Sequence, residues 1–67
     1  MDTQEKMDEL YMKYKVDREK VYTKGNKSAS IRARKYLQEL KQLCGIARKE
    51  ILEEIKKHEE NNDTVTN

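Results

Sequence analysis

The sequence predicts an all-α chain: an antiparallel two-helix hairpin with a long second helix, which completes its core by dimerising into a four-helix, coiled-coil-like bundle. Three observations predict it. Proline is absent and only two glycines occur in 67 residues, while apolar residues recur at three- or four-residue steps along two stretches. Charged residues make up 42% and hydrophobic ones 34%, and a chain this short buries only about 60% of its unfolded surface. Pairing with a second copy is the simplest remedy for so small a core.

The first helix is expected over about residues 4 to 23, where Met7, Leu10, Tyr14 and Val21 form a helical stripe that Tyr11 widens. Lys24 places a cation at its C-terminal end, and Gly25 can take the left-handed conformation that stops a helix. Asn26 or Ser28 can then cap the next helix, so the turn is tight and the two helices run antiparallel.

The second helix is expected from about residue 27 to near 60, with Ala33, Tyr36, Leu37, Leu40, Leu43, Cys44, Ala47, Ile51 and Ile55 on its stripe. Gly45 interrupts it weakly, at about 1 kcal/mol relative to alanine. The closing NNDTVTN has no periodicity, which predicts a single domain over residues 1–60 and a disordered tail at 61–67.

At 1.5 Å per residue the second helix spans roughly 50 Å and the first about 30 Å. Pairing Met7 with Cys44, Leu10 with Leu40 and Tyr14 with Tyr36 leaves Ala47, Ile51, Leu52 and Ile55 beyond the first helix. These four are the expected dimerisation residues. Glu54 lies close to the stripe, where a cation of the second chain can meet it.

Charge is nearly balanced over the whole chain, with 15 Lys and Arg against 13 Asp and Glu. It is sorted along it. Residues 20 to 38 hold six cations and no acid, whereas residues 50 to 63 hold six acids and two lysines. The sorting opposes the helix dipole: Lys27 and Arg32 sit near an N-terminus that favours anions, and Glu59 with Glu60 near a C-terminus that favours cations. Stability alone would not select this pattern. An anion is welcome at that N-terminus, where backbone N–H groups, the Ser28 and Ser30 hydroxyls and nearby cations converge. In heptad terms Arg34, Lys41 and Arg48 share one position, and Lys35, Lys49 and Lys56 the next, forming a basic ridge opposite the apolar stripe. The expected phosphate-binding set is Lys20, Lys24, Lys27, Ser28, Ser30, Arg32, Arg34, Lys35, Lys41, Arg48 and Lys49.

The run KGNKSASIRARK, followed by LKQL and ARKE, resembles the bacterial linker-histone-like proteins of the chlamydial type. The matching positions are Lys24, Gly25, Asn26, Lys27, Arg32, Arg34, Arg48, Lys49 and Glu50. The likeness covers roughly residues 22 to 56, and the first helix matches only in length and character. It implies a helical, self-associating, nucleoid-associated protein that binds double-stranded DNA with little sequence preference. That family carries a long Lys-rich tail, whereas this sequence runs out in EENNDTVTN, so DNA contact is expected from the helical body.

Other chemistry finds little support. Cys44 falls on the apolar stripe as a small buried thiol, His58 lies near a helix end, and Tyr22 and Tyr36 read as packing residues rather than base-stacking groups. One His, one Cys and no Gly-rich phosphate loop predict a non-enzyme without cofactor, metal or small-molecule substrate. A lone cysteine and an acidic N-terminus, MDTQEKMDEL, predict a cytoplasmic protein, and no membrane partner is expected. The competing reading keeps the same dimer and docks its basic face on an acidic protein partner. A membrane-surface helix is a third, opposed by the acidic last third.

Overall fold

The computed structural model describes residues 1–61. Helix α1 spans Thr3–Lys24 and α2 spans Lys27–Asn61, and the two pack against each other. Of the expected tail, Asn61 closes α2, and 62–67 lie outside the described residues.

Local chemistry sets each boundary. Asp2 caps α1 by accepting from the Glu5 N–H at 2.8 Å, and Glu5 Oε1 accepts from the Asp2 N–H at 3.1 Å, a reciprocal capping box. Gly25 ends α1 with φ of 62°, a conformation that costs a side-chain-bearing residue roughly 1–2 kcal/mol. Its N–H donates to the Val21 carbonyl at 2.9 Å. Asn26 caps α2, its Oδ1 accepting from the Ala29 N–H at 2.9 Å. Gly25→Ala and Asn26→Ala should therefore each lower the unfolding free energy by about 1 kcal/mol in urea titrations.

The interhelical core is thin. Ala29 is 0% and Ala33 5% exposed, and no large side chain among the described residues is fully buried. Small residues at these positions let α1 approach α2 closely next to the turn. Further along, Met7, Leu10, Tyr14, Val21, Tyr36, Leu40 and Leu43 are half-buried. At the open end the Thr3 hydroxyl donates to Glu50 Oε2 at 2.7 Å.

That last bond belongs to a register different from the expected one. Met7 shares a groove with Ala47 and Ile51, Leu10 with Leu43 and Ile46, and Tyr14 with Ala33 and Leu37. Helix α1 thus reaches further along α2 than the sequence pairing placed it. Ala47 is half-buried within that reach rather than beyond it. Cys44 is exposed, not buried, because Leu43 and Ala47 take the positions facing α1. Leu52 and Ile55 remain 60% and 51% exposed, as expected of an overhang, whereas Ile51, 62% exposed, lies beside Met7 rather than beyond α1. An added Cβ at Gly45 would meet nothing within 4 Å, so Gly45 does not serve the packing of α1 on α2.

Candidate nucleic-acid interface

The turn gathers the cations of the acid-free stretch at one end of the hairpin. Lys20 and Lys24 lie in the last turns of α1, Lys27 opens α2, and Arg32, Arg34 and Lys35 follow within its first three turns. Lys24, Lys27, Ser28, Arg34 and Lys35 are exposed. Ser30 is half-buried in a groove that it shares with Tyr14, Arg18, Val21 and Arg34.

Arg32 has another engagement. Its Nε donates to Asp17 Oδ2 at 3.1 Å and its Nη2 to Asp17 Oδ1 at 3.0 Å. This is the bidentate fork that joins guanidinium to carboxylate in a fixed plane. Asp17 is 5% exposed and lies on the α1 stripe, three residues after Tyr14 and four before Val21. Lys20 Nζ stands 4.0 Å from the same carboxylate. The hydrogen bonds from Arg32 hold the Asp17 carboxyl below its ordinary range, against the opposing effect of burial. The same bonds raise the pKa of the Arg32 guanidinium. Arg32 is thus a latch between the helices, which supplies the stability reason that the dipole pattern lacked.

The N-terminus of α2 is also partly occupied by its own cap. Asn26 takes the Ala29 N–H through its side chain and the Ser30 N–H through its carbonyl, at 2.9 and 3.1 Å. Side-chain cations, more than backbone amides, therefore define this end.

Arg34, Lys41 and Arg48 recur every seven residues, with Lys35 and Lys49 beside the row. Each step advances about 10 Å along α2. All five side chains are exposed. The expected set therefore divides into a cluster at the turn and a ridge leading away from it. Two residues escaped the sequence reading. Arg18 lies on the groove rim with Arg34, hidden because the adjacent Glu19 breaks the acid-free run, although about 100° of helix rotation separates the two. Asp17 was signalled by an acid standing where the stripe of α1 calls for an apolar residue.

Among the described residues no group of three or more His, Cys, Asp or Glu side chains could hold a metal ion. No helix is long and apolar enough to cross a membrane. His58 lies exposed in the last turns of α2.

Two packed helices with cations collected at their turn make the chain a small all-α helical hairpin. More specifically, the chain belongs to the histone H1-like protein Hc1 family, whose model matches residues 1–57. The match takes in α1 as well as the basic stretch. The family is a DNA-packaging, non-enzymatic one, and this chain is not an enzyme. No curated protein and no solved structure matches it.

Proposed function

We propose that this chain is a histone-like, nucleoid-associated protein of the cytoplasm that binds double-stranded DNA largely without sequence preference. The turn cluster and the ridge of Arg34, Lys41, Arg48, Lys35 and Lys49 neutralise phosphates. The observation that supports this best is the turn itself, where the buried carboxylate of Asp17 is engaged by Arg32 and Lys20, leaving Lys24 and Lys27 for an external anion. Affinity of this kind follows the number of phosphates neutralised and carries no base readout.

The protein acts as a homodimer in this reading, joined through Ile51, Leu52 and Ile55 with Ala47 at the margin of the contact. No cofactor and no small-molecule substrate takes part.

Fluorescence anisotropy on two unrelated duplexes over a range of salt tests the DNA reading. The expected result is equal affinity for both and a linear fall of log affinity with log salt. Binding that is undetectable at low salt would transfer the basic face to the competing reading, an acidic protein partner.

A further inference from the structure

One broad face of the hairpin is left apolar after α1 has packed on α2. Leu37 is 45% and Ile51 62% exposed, Cys44 is exposed between them, and the three stand seven residues apart. Such spacing makes a straight seam along a helix, the pattern by which helices pair. Ile55 extends it by one turn. Tyr11 and Tyr14, stacked with ring centroids 6.0 Å apart, border the same face from α1, because Met7 shares a groove with Ile51 and Tyr14 with Leu37. The opposite broad face sets Leu10, Leu43 and Ile46 among Lys6, Glu9, Lys13 and Glu39, so charges of both signs interrupt its apolar strip.

We infer that this seam docks on a second copy of the chain in antiparallel orientation, with the two-fold axis passing beside Cys44. The inference rests on the self-pairing proposed above and adds its direction. Charge decides that direction. A parallel pair sets basic turn on basic turn, and the acid-rich part of α2 on its own copy. An antiparallel pair sets each turn against the partner's acids. Reach points the same way, since the residues at the start of α1 line grooves with α2 as far as Lys57, and only an antiparallel partner lays the turn-proximal half of its hairpin along the acid-rich end beyond.

The register follows from equal steps on either side of Cys44. Leu37, seven residues before it, meets Ile51 of the partner subunit, seven after. Glu54, ten residues after, comes level with the partner's Arg18, which shares the groove with Tyr14 and Leu37. A like-charged approach remains on each side of the axis, Lys41 to Arg48 of the partner subunit and its symmetry mate. The two lie at the solvent rim, where salt screens charges separated by about 8–10 Å and the side chains can turn outward. The two turns then lie at opposite ends of a rod whose long dimension is 59 Å in one hairpin. Lys24, Lys27 and Lys35 are exposed at each end, so one dimer holds two separate DNA segments instead of forming a single doubled site.

A short bis-maleimide tests the geometry on the native protein and on cysteine variants in a Cys44→Ala background. The native chain should give a covalent dimer through Cys44. Leu37→Cys alone should stay uncrosslinked, because the two copies stand about 21 Å apart along the seam, and Leu37→Cys with Ile51→Cys should restore the covalent dimer. Efficient crosslinking of Leu37→Cys alone, or a native Cys44 that does not crosslink in a species of twice the chain mass by light scattering, would overturn the antiparallel register. A monomer by light scattering that still binds duplex DNA with salt dependence would overturn the pairing and leave the DNA reading standing. A Cys44-linked dimer that ignores DNA would support the pairing and defeat the DNA reading.

Discussion

Replacing Lys24, Lys27 and Lys35 together by alanine should lower affinity for duplex DNA by about two to three orders of magnitude at about 0.1 M salt. It should also flatten the slope of log affinity against log salt by about 2.7, at 0.9 for each phosphate no longer neutralised. The three are chosen because they are exposed at the turn and lie neither in the Asp17 ion pair nor on the apolar seam. The loss should be alike on unrelated sequences. Replacing Lys56 and Lys57, which stand among the acids of residues 50 to 63, should do much less. A folded triple variant with undiminished affinity and slope would remove the turn from the DNA interface.

Asp17→Asn should bring two changes of opposite sign. The hairpin loses its bidentate latch, and with Ala29 and Ala33 the only buried apolar residues among those described little else replaces that cross-helix tie. The urea midpoint should fall clearly, and Arg32→Ala should lower it in the same way, the double replacement costing less than the sum because both remove one interaction. DNA affinity of the folded Asp17→Asn protein should meanwhile rise, with a salt slope steeper by up to about one, since Arg32 becomes available to phosphate. The pH dependence has a definite sign. The Asp17 carboxyl is held below its ordinary range in the fold, so its contribution is fully present above the unfolded value of about 3.9 and is lost as pH falls through the lower folded value. The stability gap between parent and Asp17→Asn should therefore be flat at neutral pH and close in acid. An Arg32→Ala protein as stable as the parent would show that the latch contributes nothing.

Much of the fold is written locally. The apolar steps of Met7, Leu10, Tyr14 and Val21, the Gly25–Asn26 turn and the cation-only run after Lys20 are short-range patterns, and the structure contains each as a helix, a left-handed stop with its cap, and a basic turn. The Hc1 family match agrees with the resemblance drawn from Lys24 to Glu50. What could not be read was the relation between the helices. A shift of three residues along one helix keeps an apolar stripe facing its neighbour, since the stripe repeats at that step. Periodicity therefore permits Met7 beside Cys44 as readily as Met7 beside Ala47.

Two amphipathic helices, the turn joining them and the sorting of charge toward that turn follow from the order of residues alone, because each depends on side chains within a few positions of one another. Packing in three dimensions was needed to bring Arg32 to Asp17 across the hairpin, to cover Ala47 and to leave Cys44 on the outer seam. These depend on how far one helix slides along the other before its small and large side chains interlock. The alanines near the turn and the Thr3 bond to Glu50 at the other end accompany that choice, and no single stretch of chain contains both.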